Sequence, residues 1–400
     1  MRKSLLAVAV LGAFAGSAMA ADVTLYGIVD TGFRFDHVDY DGTKALDVTK
    51  DAPVLNKKTN NFSMKSGIQS GSRWGLKGAE ELGNGYKVGF VLESGFDSDT
   101  GKGSSDGLFN RESTLWVSGG FGKVLFGRMG TLVYGAGSVS KIGMLSAFGT
   151  SWSTYVPQVQ STIAFTGGRQ SNAIAYESPK FAGFVVRAQY GMGAEGSENK
   201  AASDRYAALS ATYENGPLAL FAAADRVIYG HKAGVDVDDS LTVTLGGNYD
   251  FGVAKVFGGA QYFDEVQASA FSGMFYNVYT VVADTEASAA AGADRFKAGT
   301  QFGKDSKLKG FGLNFSVSAP LCGGKAMAGV SYMDASEADS SKVSYDYTRY
   351  QIGVGYDYPL SKRTNLYAVA SYGKDKLEYK DQETVKPSYA SAMFGLRHKF

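Results

Sequence analysis

The sequence predicts an all-β chain that forms a 16-stranded antiparallel transmembrane β-barrel. Three observations lead to this class. Segments with strictly alternating apolar and polar residues recur along the chain, and the breaks between them alternate between short turns and long polar connections. No linker or change of composition divides the 400 residues into the two or three domains expected of a soluble chain of this length. Tyrosine and phenylalanine, which favour strands, number 24 and 25, whereas proline occurs only 7 times.

The first twenty residues have the three parts of a secretory signal peptide. Two basic residues start it, residues 5–14 form its apolar core, and residues 18–20 form a small-residue cleavage site. The apolar run is too short for a membrane-anchoring helix, and no stop-transfer charges follow it. We therefore expect cleavage after Ala20, which leaves residues 21–400 as the mature chain, outside the cytoplasm.

The charge balance gives the chain no large net charge with which to attract a highly charged partner. The chain has 40 Lys and Arg and 39 Asp and Glu; without Arg2 and Lys3 the count becomes 38 against 39, a net charge of −1. We therefore expect no nucleic acid partner. The single Cys322 excludes an intramolecular disulfide, so stability must come from strand pairing and packing. After the signal peptide no run of 18 apolar residues occurs, so no transmembrane helix is predicted.

Four segments show the alternation most clearly, namely 184–190, 241–249, 311–318 and 350–357. In each segment one set of side chains is mainly apolar and the other is mainly small, polar or charged. A period of two places these sets on opposite faces of a strand. Polar faces of this kind argue against two sheets packed into a soluble sandwich. One apolar face with aromatic residues near its ends is typical of strands in a membrane barrel.

The connections determine the strand count. Seven short turns and eight long loops join sixteen strands, and an even number places both termini at the same, periplasmic end. A closed ring leaves no unpaired edge in lipid, and sixteen strands enclose an aqueous lumen. The predicted short turns are 81–85, 119–122, 179–183, 214–217, 250–252, 320–324 and 359–362. The predicted long loops lie near 34–65, 97–110, 131–169, 191–204, 229–240, 264–306, 334–347 and 374–388.

The connection over 131–169 has an unusual composition. It has 39 residues, rich in Gly, Ser and Thr. Loops longer than about 15 residues are uncommon in compact domains and are usually functional or disordered. Apolar residues that a solvated linker lacks, among them Ile142, Phe148 and Trp152, argue against disorder. Its one interior charge is Lys141 and it contains no carboxylate, so we expect an ordered, functional loop.

Short motifs occur at both ends of the mature chain and between them. The mature start reads DVTLYG over 22–27, and the finish reads FGLRHKF over 394–400. Internal motifs read SRWGLKG over 72–78, LFNR over 108–111, FGR over 126–128 and NAIAYESP over 172–179. Each motif is modest alone, but together and in this order they resemble the general porins of Gram-negative bacteria, closest to the betaproteobacterial branch. The resemblance spans nearly the whole mature chain.

The resemblance implies a homotrimer in the outer membrane, in contact with lipid and lipopolysaccharide. Each subunit would be a passive, water-filled diffusion channel for small hydrophilic solutes and inorganic ions, without a cofactor or catalytic residue. The resemblance makes 131–169 the third surface loop, which in the family folds into the barrel and narrows it. Phe400, which ends an alternating strand, resembles the signal that the outer-membrane assembly machinery recognises. Phe394, Leu396 and His398 would face outward with it.

In many members of the family the inward loop carries acidic residues that face arginines on the wall. This sequence departs from that pattern, because 131–169 contains no Asp or Glu. The candidates for lining the constriction are Arg73, Lys77, Arg187 and Asp30 by alternation, Arg111, Arg128 and Arg169 by motif, and Lys141 from the loop. For each basic residue the alternative is an ion pair within the wall or a charge at the mouth.

A lining of one sign enriches counter-ions in a narrow pore. We therefore predict a preference for anions, reduced if Asp30 and Glu177 lie close enough to offset the arginines. The alternative is a weak cation preference caused by acidic outer loops such as 236–239.

Other chemistry is weakly represented. GSSDG over 103–107 matches G-x-S-x-G, but no helix follows it, so we interpret it as a solvated loop. Asp236, Asp238 and Asp239 either bind divalent cations near lipopolysaccharide or belong to an ordinary solvated loop. The three histidines have no metal spacing, so no metal site is predicted. The alternatives to a general channel are a solute-specific channel, an outer-membrane barrel enzyme and a structural or adhesive barrel.

Overall fold

The structure is a computed structural model of the chain. It describes residues 23–39, 44–47, 52–55, 58–152, 155–230, 238–273, 278–283, 296–302, 306–338, 345–379 and 384–400. The signal peptide predicted over residues 1–20 lies outside these ranges. Within them, no helix is long and apolar enough to cross a membrane.

The described chain is built almost entirely from strands. They are β1 (Thr24–Asp39), β2 (Lys44–Asp47), β3 (Ala52–Leu55), β4 (Lys58–Ser66), β5 (Arg73–Gly83), β6 (Tyr86–Gly95), β7 (Glu112–Gly119), β8 (Gly122–Gly130), β9 (Arg169–Glu177), β10 (Phe184–Gly191), β11 (Arg205–Asn215), β12 (Leu218–Ile228), β13 (Ser240–Asp250), β14 (Lys255–Gln267), β15 (Val278–Ala283), β16 (Phe296–Phe302), β17 (Lys307–Leu321), β18 (Gly324–Glu337), β19 (Tyr345–Pro359), β20 (Thr364–Tyr379) and β21 (Ser388–Lys399). Three 3-10 turns accompany them, at Ile142–Leu145, Val159–Ser161 and Ala268–Ala270.

Seventeen of these strands form one closed antiparallel sheet, and β2–β3 and β15–β16 form separate hairpins. Consecutive strands pair along the ring, and β1 pairs with β21 to close it, with Asp30 opposite Arg397. Strands β4 and β5 share one position, because both pair with β1: β4 through residues 31–39 and β5 through residues 24–28. The ring therefore has sixteen strand positions, which confirms the predicted fold class.

The seven predicted short turns all connect consecutive ring strands. On the long-loop side, several strands extend further than the sequence analysis expected. The predicted loop 334–347 is an example, because β18 runs to Glu337 and β19 starts at Tyr345. Tyr345 and Tyr347 are buried in a cluster with Leu377. This packing inside the ring extends strand pairing beyond the residues whose apolar–polar alternation predicted the strands.

The two faces of the ring differ in chemistry. On β17 to β19, Leu313, Phe315, Val330 and Ile352 are exposed. They alternate with buried polar residues such as Gln351. A continuous apolar face turned away from the rest of the chain is the surface that a membrane barrel presents to lipid.

The segment between β8 and β9, residues 131–168, is here called the long loop. Its boundary differs by one residue from the expected 131–169, because Arg169 begins β9. Its buried apolar side chains pack against the polar face of the ring. Phe148 and Trp152, for example, form a cluster with Met327, Val369 and other wall residues. The apolar core of the molecule therefore lies between this loop and the wall.

Candidate functional site

Glycines on the wall form a seat for the long loop. A Cβ atom added at Gly312 would lie 1.7 Å from the carbonyl oxygen of Thr162, and one at Gly353 would lie 2.6 Å from Cδ of Pro157. The same holds for Gly246, where an added Cβ would lie 2.6 Å from Cδ2 of Leu145. These glycines are on β13, β17 and β19, on the face opposite the exposed apolar residues. The loop backbone can approach the wall this closely only because these wall positions lack side chains.

Hydrogen bonds fasten the long loop to the same strands. The Ala147 amide donates to Oγ of Ser316 at 2.8 Å, and the Ala164 amide donates to Oε1 of Gln261 at 2.6 Å. Near the end of the loop, the Thr166 hydroxyl donates to the buried carboxylate of Asp225. A loop rich in Ser and Thr thus satisfies its backbone polar groups on the polar wall.

A basic cluster centred on one carboxylate lies on the strands β5 to β7. Nε of Arg111 donates to Oε1 of Glu93 at 2.7 Å, and Nε of Arg73 lies 3.6 Å from Oε2 of Glu93. The hydroxyl of Tyr26 also donates to this carboxylate, at 3.1 Å. The strand register produces the cluster, because Arg73 pairs with Gly95 on β6 while Glu93 pairs with Glu112 at the start of β7. Two arginines share one carboxylate, so the group keeps a net positive charge.

Arg169 joins this cluster from the other side. It lies within electrostatic range of Arg111 and Arg73. Its guanidinium carbon is 4.9 Å from the ring centroid of Tyr134, and its Nη1 donates to the Tyr134 hydroxyl at 3.1 Å. Tyr134 belongs to the long loop, so a cation–π contact connects the loop to the basic wall.

The two predicted lysines are exposed. Nζ of Lys77 lies 5.2 Å from the ring centroid of Tyr26, on the side of β5 that Arg73 shares. Lys141 precedes the 3-10 turn Ile142–Leu145 of the long loop and lies within electrostatic range of Lys123 on β8. Lys77 therefore adds positive charge next to the guanidinium cluster, and Lys141 adds positive charge near Lys123.

Asp30 has the facing that alternation predicts, but its carboxylate is not available to solutes. The residue is 0% exposed. Its Oδ2 accepts hydrogen bonds from the amides of Gln69 and Ser70 at 3.0 and 2.6 Å, and its Oδ1 accepts one from the Tyr367 hydroxyl at 2.5 Å. Asp30 thus fastens the break between β4 and β5 to the wall.

Arg187 lies apart from the cluster, whereas Arg128 lies within electrostatic range of Arg169 but on the other side of its strand. Arg187 is 5% exposed and donates to Glu177 at 2.6 Å and to Thr212 at 3.2 Å, both on the wall. Arg128 donates to the carbonyl oxygen of Asn110 at 3.0 Å and to Ser171 at 2.9 Å. It shares a side of β8 with the exposed Phe126, whereas Leu125 and Met129 on the other side are buried. Arg187 thus forms the wall ion pair that the sequence analysis gave as an alternative.

Sequence reasoning missed two cations of the last strand. Nη1 of Arg397 donates to Oγ of Ser70 at 3.0 Å, and Lys399 lies within electrostatic range of Arg397 and Arg73. The sequence contained the information needed to find them. Because Leu396 and His398 are expected to face outward, alternation places the residues next to them on the inner face. Two acids were also missed: Glu93, and Glu112, which accepts hydrogen bonds from the amide and hydroxyl of Ser138 in the long loop.

The last strand also carries the predicted assembly signal. Phe394, Leu396 and Phe400 are exposed on the outer face. The backbone of Phe400 exchanges two hydrogen bonds of 3.1 Å with Gly27 of β1, so the terminal residue takes part in the seam of the ring.

The remaining sequence motifs form no reactive group in the described part of the chain. Among these residues, no cluster of three His, Cys, Asp or Glu side chains has metal-binding geometry. Asp239 pairs with Arg226 at 2.7 Å, and Asp236 lies outside the described residues, as does His231. His37 and His398 bond to Asn60 and Thr364, on different strands. The motif 103–107 lies in the loop between β6 and β7, with no helix after it.

The comparisons with known proteins agree with this architecture. A family model described as Gram-negative porin matches residues 7–377. An outer membrane porin protein of Bordetella pertussis is 32% identical over 419 residues and covers 100% of both chains. Outer membrane porin protein 32 of Delftia acidovorans is 31% identical over 389 residues, which cover 94% of this chain and 90% of the relative.

Among solved structures, an anion-selective porin from Comamonas acidovorans has a TM-score of 0.66 at 26% identity, over 95% of this chain and 100% of the other. The family match spans most of the chain, and the ring has the same sixteen-position architecture that the sequence predicts. The chain belongs to the Gram-negative porin family, and it forms a diffusion channel of the outer membrane.

Proposed function

We propose that this channel carries small hydrophilic solutes and ions, that the long loop narrows it, and that it prefers anions. The observation that carries the proposal is that the long loop covers one part of the polar inner face of the ring, while the candidate cations lie on another part. The long loop packs against β12 to β20 through the glycine seat and the hydrogen bonds to Ser316 and Gln261. The candidate cations Arg73, Lys77 and Arg169 lie outside that set, on β5 and β9, and Arg111 directly precedes β7. Solutes would therefore pass between the loop and a basic wall.

The wall charges support anion preference because the nearby acids are already engaged. Glu93 is shared by two arginines, and the Asp30 carboxylate accepts three hydrogen bonds. Arg73, Arg111 and Arg169 act on Glu93, and Glu112, which accepts hydrogen bonds from Ser138 and Thr114, lies within electrostatic range of it, so three positive charges face two carboxyl groups. In a pore with low-dielectric walls, an excess of one sign concentrates the counter-ion.

We place Lys77, Lys141, Arg397 and Lys399 in the same positive lining, and we leave out Arg128 and Arg187. The similar porin from Comamonas acidovorans is described as anion-selective, which agrees with this sign. Such a channel acts through its width and its wall charge, so the proposal includes no catalytic residue and no cofactor.

We also propose the homotrimer that family membership implies. Phe33, Phe62 and Phe394 on β1, β4 and β21 stack on the outer face, with ring centroids 5.7 and 5.3 Å apart, and supply an apolar surface for a neighbouring subunit. Chemical cross-linking of the purified protein in detergent tests this, with a trimer ladder as the expected result. A monomer alone would contradict it.

Reversal potentials test the main proposal. The purified protein is inserted into a planar bilayer of neutral lipid with a tenfold KCl gradient, and the sign of the zero-current potential reports which ion permeates faster. Anion preference is the expected result. Cation preference in the intact channel would defeat the proposal.

A further inference from the structure

A buried guanidinium on the wall binds two different loops at once. Arg349 on β19 is 0% exposed, and its Nε and Nη2 form a bidentate pair with Asp375 of β20 at 2.8 and 2.7 Å. The same guanidinium donates to three loop carbonyl oxygens. These belong to Ser161 of the long loop at 3.1 Å, and to Ser272 and Gly273 after β14 at 2.7 and 2.8 Å.

The donors of this guanidinium are fully used. A guanidinium has five N–H donors in a fixed plane. Nε makes one bond, Nη1 makes two, and Nη2 makes two plus a longer contact of 3.2 Å to the Tyr347 hydroxyl. Burial of a charge in such a place is costly unless it is paired and fully hydrogen-bonded. The loop carbonyls are therefore part of what stabilises the charge, and the charge holds the loops.

The second loop is docked on the first by its own backbone. Residues 268–273, here called the docked segment, begin the connection from β14 to β17. The Ser272 amide donates to the carbonyl oxygen of Gln160 at 2.9 Å, and the Phe165 amide donates to that of Ala270 at 2.9 Å. Phe271 packs on Phe263 of β14, with ring centroids 5.0 Å apart. The docked segment thus runs beside residues 160–165 of the long loop.

We propose that the narrow part of the channel is built from two loops, and that Arg349 with Asp375 is the positioning pair that holds the docked segment and the long loop in place. This rests on the proposed function, since it requires the long loop to narrow the pore. Arg349 does not touch the solute path, because it is fully enclosed. It acts through the loops, so its loss should change the width and steadiness of the channel rather than the sign of its selectivity.

Arg349→Gln and Arg349→Lys test the positioning pair in single-channel recordings. Gln removes the charge, whereas Lys keeps it but has three donors and no planar fork, so it cannot serve Asp375 and three carbonyls together. Both variants should show higher single-channel conductance, and the current through the open channel should fluctuate instead of staying at one level. A steady, wild-type record from Arg349→Lys would mean that charge alone suffices, and would overturn the geometric claim.

Arg187→Gln is the matched control. Arg187 is similarly buried and paired with a carboxylate, but all its partners lie on the wall. We expect its loss to lower heat stability while the current record stays steady. Equal noise in Arg187→Gln and Arg349→Gln would show a general effect of losing a buried arginine, and would overturn the proposal.

Ser272→Pro supplies a variant that leaves all buried charges in place. It removes the amide that donates to Gln160 and the hydroxyl that accepts a hydrogen bond from Nε2 of Gln158 at 3.4 Å, and Phe271 before it has φ −101° and ψ 141°, which suits a residue that precedes proline. We expect a noisier record than wild type. If Ser272→Pro and Arg349→Gln both match wild type while deletion of residues 139–146 raises conductance, the two-loop assembly is wrong and the single-loop constriction stands. If the deletion also has no effect, the proposed constriction itself is wrong.

Discussion

The basic cluster around Glu93 gives a prediction whose size follows from the structure. Replacing both Arg73 and Arg111 by Gln shortens two side chains and removes two positive charges, so the cluster changes from an excess of positive charge toward neutrality. Replacing Glu93 by Gln removes the one carboxylate that these arginines share. The two changes should move ion selectivity in opposite directions.

The size of the effect follows from Coulomb's law. For an ion that passes ~7 Å from the cluster in water, one unit charge contributes ~0.6 kcal/mol, and screening at physiological salt reduces this to ~0.25 kcal/mol. Two charges change the energy of an anion by ~0.5 kcal/mol and that of a cation by the same amount with the opposite sign, which is a difference of ~1 kcal/mol. The anion-to-cation permeability ratio should therefore fall about fivefold in the double variant, and rise about twofold in Glu93→Gln.

The assay is the zero-current potential across a KCl gradient in a planar bilayer, measured for wild type and variants at the same ionic strength. Arg226→Gln is the control, because Arg226 is 58% exposed in its side chain and alternates with the inward Asp225, so its charge lies outside the lumen. Its permeability ratio should equal that of wild type. A double variant with an unchanged ratio, or a shift of the same sign in Glu93→Gln, would refute the assignment of the cluster to the ion path.

Three further predictions concern the loop, its seat and the last strand. Deleting residues 139–146 of the long loop should raise single-channel conductance, and unchanged conductance would place the loop outside the ion path. Gly312→Ala should destabilise loop docking by about 1–3 kcal/mol, because its Cβ would lie 1.7 Å from the Thr162 carbonyl oxygen. Thermal denaturation measures this, with Gly258→Ala as control, where an added Cβ would lie 3.9 Å from the carbonyl oxygen of Asn314 and meet nothing closer beyond its chain neighbours. Deleting Phe400 should impair outer-membrane insertion with secretion intact, since the chain loses two hydrogen bonds to Gly27; normal outer-membrane levels would argue against this role.

Alternation and turn chemistry were sufficient to predict the ring. A strand of period two fixes which side chains share a face, so Arg73 and Lys77 could be assigned to one side without any knowledge of their partners. The same rule predicts that Arg397 and Lys399 face inward, because Leu396 and His398 face outward. Glycines such as Gly312 and Gly353 were also visible on the polar faces. Their structural role could not be predicted, because a glycine indicates a close approach of another segment only when that segment is known.

Contacts between distant segments could not be predicted in this way. Asp30 has the facing that alternation gives, but its role depends on the amides of Gln69 and Ser70, which reach it only because β4 and β5 are separated by a short break. Alternation gives Arg349 the inward facing of Gln351, but its role has no local signal, because its partners come from β20 and from two loops. Residues that act by joining parts of the chain become recognisable only when the fold has brought those parts together.

The pairing of the first ring strand with the last determines when the barrel can be completed. Ile28 lies opposite Lys399 in the register of β1 and β21, and the hydrogen bond from Tyr367 to Asp30 spans 337 residues of sequence. Pairings between such distant segments form slowly, and until they form both outer strands remain open edges that can pair with other chains. The polypeptide must therefore be exported in full before β1, which already pairs with β4 and β5 on one edge, gains a partner on its other edge. During that interval nearly the whole mature sequence is unfolded and has to be kept from aggregating with other chains. The late pairing of β1 with β21 therefore creates a need for chaperones in the periplasm.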